Sequence, residues 1–190
     1  LIAIVDYNPA WSKEFAALAK PLAEALGEAA LAIDHIGSTA VPGLAAKDKI
    51  DIQLTVADPA DFDAVRAALE PLGYTEAPYT CDHIPPSGPF EPEQWAKRFF
   101  RPPAGQRPTN LHVRVAGRAN QRYPLLFRDY LRANRSAAQA YENLKRQLAT
   151  YHSDNIEAYC DIKDPACDLI AVAAEAWAQK TGWRAQPEVF

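Results

Sequence analysis

Between Ile50 and Val56 apolar and polar side chains alternate without a break. Successive strand residues point to opposite faces, so Ile50, Ile52, Leu54 and Val56 share one side and Asp51, Gln53 and Thr55 the other. A chain with this segment must cover one face of a sheet with apolar helices, and it presents an aspartate on the other face. Flanking periodicities supply the cover. Trp11, Phe15, Leu18, Leu22 and Leu26 recur at helical spacing after Asn8-Pro9, with Pro21 as a kink and Gly27 as a stop. Phe62, Val65, Leu69 and Leu72 do the same between Asp58-Pro59 and Gly73.

Further strands are predicted where Leu31 and Ile33 alternate with Ala32 and Asp34 up to Gly37, at Lys97 to Arg101, and at Asn110 to Val115. In the last of these Leu111, Val113 and Val115 point inward, and His112 and Arg114 lie opposite. The prolines and glycines between Pro78 and Pro108 exclude continuous regular structure there, and a long loop of this kind inside a compact domain often carries function. Beyond it the pattern is helical. Tyr123, Leu126, Phe127, Tyr130 and Leu131 form one stripe; Ala137, Ala140, Tyr141, Leu144 and Leu148 form a second; Asp164-Pro165 opens a last helix with Leu169, Ile170, Ala173 and Trp177. The expected architecture is one α+β domain over residues 1–190, with a small mixed sheet in about 1–118 and a helical part in about 119–182.

A length of 190 residues with 48% hydrophobic content suffices for one core. The formal charge of -4 gives no global attraction to polyanions, which disfavours nucleic acid and favours a small-molecule partner. Cys81, Cys160 and Cys167 lack the close paired spacing of a zinc site and read as reduced thiols of a cytoplasmic protein. No apolar run approaches the roughly 20 residues of a membrane span, and Leu1 to Asp6 lacks the basic flank of a signal peptide. A soluble protein without membrane contact is expected.

The residues that carry chemistry begin with His35-Ile36-Gly37-Ser38-Thr39-Ala40-Val41-Pro42-Gly43-Leu44, followed by Asp51 on the next strand. Gly37 lets backbone N–H groups approach an anion closely, and Ser38 and Thr39 add hydroxyl donors. Such a turn can hold a triphosphate, while a carboxylate on the adjacent strand can ligate Mg2+ beside the phosphate oxygens. A second set is cationic or imidazole-bearing: His35, Arg98, Arg107, His112 and Arg114. Arg98 and His112 are expected on the polar faces of their strands, in one cleft with Asp51, where arginines suit phosphate and His112 suits a general base or a metal ligand. Arg128, Arg132, Lys145 and Arg146 are expected on solvated helix faces, with Arg128 and Lys145 within possible reach of the pocket. Phe90 and Trp95 in the Pro-rich loop are candidates to cover a base.

His35 to Leu44, Ala45-Ala46-Lys47 and Ile50-Asp51-Ile52 closely resemble the hallmark of the GrpB family. The likeness continues through Arg98-Phe99-Phe100, Arg107, Asn110-Leu111-His112-Val113, Leu126 to Arg132, Tyr141 to Lys145, and Tyr159 with Lys163, so it covers nearly the whole chain. The resemblance implies a nucleotidyltransferase-like fold, and similar domains occur fused behind dephospho-coenzyme A kinases. It also implies a nucleotide or phosphorylated metabolite as ligand, phosphate held by Gly37, Ser38 and Thr39, Mg2+ on Asp51, and nucleotidyl transfer to a small acceptor. One departure stands out. The superfamily places two carboxylates one residue apart on this strand, and here Gln53 occupies the second place. That leaves two further readings: a non-catalytic ligand-binding or interaction module, and a metal-dependent hydrolase using His35, Asp51 and His112.

Overall fold

A computed structural model describes residues 1–186 of the chain. Five strands form one mixed sheet in the order β1-β2-β5-β4-β3: β1 Ala32–Ile36, β2 Ile50–Val56, β3 Thr75–Ala77, β4 Arg98–Arg101 and β5 Thr109–Val115. Only β2 and β5 run parallel; the other neighbours are antiparallel. This is a nucleotidyltransferase-like α+β fold, and the alternation at Ile50–Val56 places β2 at the heart of its sheet. β3 was not foreseen, because three residues give period two nothing to repeat. β1 starts after Leu31, which is exposed, while Ile33 is buried.

Each face of the sheet has its own cover. Ile33, Ile50, Ile52, Leu54, Val56, Phe100, Leu111, Val113 and Val115 join one core with Trp11, Phe15 and Leu22 of α1 (Trp11–Leu26) and with Phe62, Val65 and Leu69 of α2 (Asp61–Leu69). Removing fully buried branched and aromatic side chains from water contributes about 1.5–3 kcal/mol each. The opposite face carries Asp34, Gln53, Thr55, His112 and Arg114. It lies under α3 (Ala119–Ala133), α4 (Arg135–Tyr151) and α5 (Ile156–Thr181). Contacts to α3 fix this second cover: Gln53 Nε2 donates to the Gln121 carbonyl at 2.9 Å, and Arg128 Nη1 to the His35 carbonyl at 2.9 Å.

Two helix expectations change. α5 opens at Ile156, where the Asn155 side chain accepts from the Ala158 N–H, so Pro165 sits inside the helix rather than at its start. The nine residues ahead of Pro165 matter for function, since they carry Tyr159, Cys160 and Lys163 over the sheet. Arg128 and Lys145 are buried rather than solvated. No helix among the described residues is long and apolar enough to cross a membrane.

Candidate functional site

At the end of β1 the chain turns through Gly37 with φ 72° and ψ -170°, a region open essentially to glycine alone. Ser38–Ala40 then form one 3₁₀ turn. The turn lies against β2, where Ile36 pairs with Asp51 and Asp51 with Asn110 of β5. Gly37, Ser38, Thr39, Asp51 and His112 thereby line one cavity of about 620 Å³, closed by Tyr141 and Lys145 of α4 and by Tyr159 and Lys163 of α5. That volume is in the range of small-molecule sites.

The cavity is cationic although the chain is acidic. Lys47, Lys49, Lys97, Arg101, Lys145 and Lys163 line it against Asp51 and Asp164. Lys163 pairs with Asp164 at 2.6 Å, and Lys97 with Asp82 of the Pro-rich loop. Among the described residues Lys47, Lys49, Arg101 and Lys145 form no ion pair with a carboxylate. Lys47 Nζ instead lies 3.8 Å over the Tyr159 ring, and Arg101 Nη1 donates to Asn110 Oδ1 at 3.1 Å. Lys145 Nζ donates to Ser38 Oγ at 2.9 Å and to the Ala45 carbonyl. Burial pushes the Lys145 ammonium down to about 7. A neutral amine has two N–H donors, which these two acceptors use, and protonation adds a third.

Asp51 Oδ1 accepts from Asn110 Nδ2 at 2.7 Å, and a Cβ built on Gly37 would come within 2.5 Å of Oδ2. Desolvation by the cleft walls raises the carboxyl, with the Asn110 hydrogen bond opposing. His112 is held well below its usual value, first by desolvation and then by Arg114. Arg114 Nη2 lies 3.3 Å from His112 Nδ1. A guanidinium only donates, so Nδ1 accepts and the proton of the neutral ring sits on Nε2.

The other expected site residues lie elsewhere. His35 shares the parity of Ile33 and pairs with Ile52, which turns it to the α1 side; it stacks on Phe15 with centroids 4.6 Å apart and shares a 3.0 Å hydrogen bond with Thr39 Oγ1. Burial, then Arg132 and Arg128, lower it to about 3. Arg98 pairs with Val113, so it faces α2 rather than His112, lies over the Phe62 ring at 4.9 Å and pairs with Glu76 at 3.2 Å. Phe99 takes the cleft-side position beside His112. Arg107 ties Glu14 to Asp48 at the edge of the core, outside the cavity. Gln53 has the parity of Asp51 but is fully buried between Gln121 and Arg114, whose Nη1 donates to Gln53 Oε1 at 2.8 Å. Trp95 is buried and donates to the Pro89 carbonyl at 2.7 Å, while Phe90 is exposed; neither lines this cavity.

Around Asp51 the described residues offer a divalent cation one carboxylate and no second free oxygen ligand. Mg2+ takes oxygen ligands, commonly one or two carboxylates with phosphate oxygens and water. Here Asn110 turns its N–H toward Asp51 and its carbonyl oxygen toward Arg101, and the oxygen of Gln53 is committed to Arg114. His35 lies across the sheet from Asp51 and His112, so the trio expected of a metal hydrolase does not form. Among the described residues no group of three or more His, Cys, Asp or Glu could hold a metal.

The fold is nucleotidyltransferase-like, and it carries a cationic pocket on one sheet face. The chain belongs to the GrpB family: the family described as GrpB protein matches residues 1–172. It is similar to the crystal structure of GrpB from Enterococcus faecalis, with a TM-score of 0.75 and 30% identity over 92% of this chain and 99% of that one. A UPF0157 protein of Halalkalibacterium halodurans is 37% identical over 175 residues, which cover 92% of this chain and 83% of that protein. A protein named dephospho-CoA kinase from Mycolicibacterium paratuberculosis is 35% identical over 196 residues, 96% of this chain but 48% of its own length. The chain thus spans about half the length of that relative.

Proposed function

We propose that the cleft between the sheet and α4–α5 binds a phosphorylated small molecule of the nucleotide class. One observation carries this reading: Lys47, Lys49, Arg101 and Lys145 face a single cavity without a carboxylate partner, in a chain of net charge -4. Cations gathered in a low-dielectric cleft repel one another and lose hydration, so they favour an anion that neutralises them. Ser38 Oγ and the Arg101 fork add hydrogen-bond donors suited to phosphate oxygens. Phe99 and Tyr159 give the same cavity apolar surface for the remainder of the ligand. The likeness to relatives named dephospho-CoA kinase supports a nucleotide-related ligand.

Binding, rather than metal-dependent nucleotidyl transfer, is what these residues fit. Transfer of that kind draws on paired carboxylates, and the second position on β2 is a buried Gln53 engaged on both ends of its amide. Thermal-shift measurements against nucleoside mono-, di- and triphosphates, coenzyme A and dephospho-coenzyme A test the reading, since a ligand that binds only the folded state raises the midpoint. A rise that is smaller in Lys145→Met and in Arg101→Ala than in the parent is expected. Midpoints that stay flat across the whole panel would sink it.

A further inference from the structure

We infer that this cleft takes a di- or triphosphate group without a divalent metal, its own lysines and arginine supplying the neutralisation that Mg2+ supplies elsewhere. The inference rests on the binding reading above and adds the class of ligand and the ionic form in which it binds.

Charge sets the class. Lys163 is balanced by Asp164, Lys97 shares Asp82 with Arg114, and Asp51 balances one of the four remaining cations. With Lys145 protonated beside the bound anion, about three positive charges are left, which matches a metal-free diphosphate or triphosphate better than a phosphate monoester of about two negative charges. The metal complex of a triphosphate brings less negative charge and adds a cation among lysines, so it is the poorer complement.

Geometry points the same way. The carboxylate expected to bind metal has Asn110 Nδ2 on Oδ1, and the neighbouring amide oxygens of Asn110 and Gln53 are turned to Arg101 and Arg114 rather than toward a cation beside it. Asp51 then serves the cleft by holding Asn110 in place. As a negative charge beside an anion it opposes binding, the reverse of what a metal ligand would do.

The test is calorimetric titration of the intact chain with inorganic pyrophosphate, inorganic triphosphate, AMP, ADP and ATP. Each titration is run in EDTA and again with excess Mg2+. The expected result is binding in EDTA, tighter for di- and triphosphates than for AMP, and weakened several-fold by Mg2+. Asp51→Asn, which keeps the acceptor for Asn110, should bind metal-free triphosphate as tightly as the parent or up to about tenfold more tightly. Binding that requires Mg2+ and is lost in Asp51→Asn overturns the inference while leaving the binding reading intact. AMP binding as tightly as ATP overturns the di- or triphosphate class. Silence with every probe in both buffers overturns inference and reading together. The parent chain alone decides the metal question, so a poorly folded variant cannot leave it open.

Discussion

Gly37 faces the carboxylate of Asp51 so closely that a methyl group on it would sit 2.5 Å from Oδ2. The contact joins the end of β1 to the polar face of β2 and sets the mouth of the cleft. Gly37→Ala is therefore expected to destabilise the fold by about 1–3 kcal/mol from backbone strain alone. Urea unfolding measures the loss. In an Asp51→Ala background the clash with Oδ2 disappears, but the Cβ of residue 51 at 3.1 Å and the positive φ remain, so a smaller, nonzero loss should persist. No loss in either background would mean that the turn relaxes freely.

Anion binding near neutral pH is expected to take up a proton through Lys145. In the free protein burial holds this lysine at about 7, against an ordinary value of 10.5. An anion placed beside it favours the ammonium. Titrations at about pH 8 in buffers of different ionisation enthalpy should show uptake of up to one proton per ligand, fading at about pH 6, where Lys145 is already charged. Lys145→Met should abolish the buffer dependence. The same shift fixes the sign for stability without ligand: between about 7 and 10.5 the unfolded chain holds more protons, so this group's contribution rises with pH across that window.

The Gly37–Thr39 turn and Asp51 were legible because both are local: period two puts Asp51 opposite the core, and a strand ending in Gly-Ser-Thr announces a turn. His35 and Arg98 went to the wrong face although their parity was available. His35 is two residues from Ile33, and Arg98 two residues from Phe100, which is the phenylalanine that joins the core. With Phe99 and Phe100 adjacent in a four-residue strand, alternation alone does not say which of them points inward. Lys145 reads from the sequence as a solvated residue within reach of the pocket, not as a buried one, for another reason. It lies four residues after Tyr141 and three before Leu148, in phase with a buried stripe, yet charge argued for solvent. Nothing local reveals that α4 and the first turns of α5 close over β2 and β5, because that depends on long-range packing. The lysines therefore escape notice as a group until the chain is folded.

Asp82 ties the Pro-rich loop to the cleft wall, accepting from Arg114 Nε at 2.8 Å and from Asn120 Nδ2 at 3.1 Å while pairing with Lys97. Asp82→Ala would leave two nearly buried cations without their counter-ion, a change that costs about 3–5 kcal/mol. The loss should appear in urea unfolding, together with faster amide exchange across residues 78–97. Burial alone would raise this carboxyl, but Arg114 and then Lys97 hold it well below the usual range. Its contribution is therefore full above the ordinary 3.8 and declines as pH falls below that value. An acid limb identical in parent and Asp82→Ala would contradict the assignment.

Arg98 and Arg101 stand three residues apart on β4 and so point to opposite faces, which makes them a matched pair for testing where the ligand sits. Arg98 spans Phe62 and Glu76 on the α2 side, partly exposed. Arg98→Ala should leave polyphosphate affinity unchanged and cost at most about 1 kcal/mol of stability. Arg101 lines the cavity and holds the Asn110 oxygen. Arg101→Ala should weaken binding by about tenfold, equivalent to roughly 1.4 kcal/mol, and flatten its dependence on salt. Affinity measured across a salt series for both variants distinguishes the faces: equal losses would mean that the anion does not sit on the His112 side of the sheet, whatever the charge of the cleft.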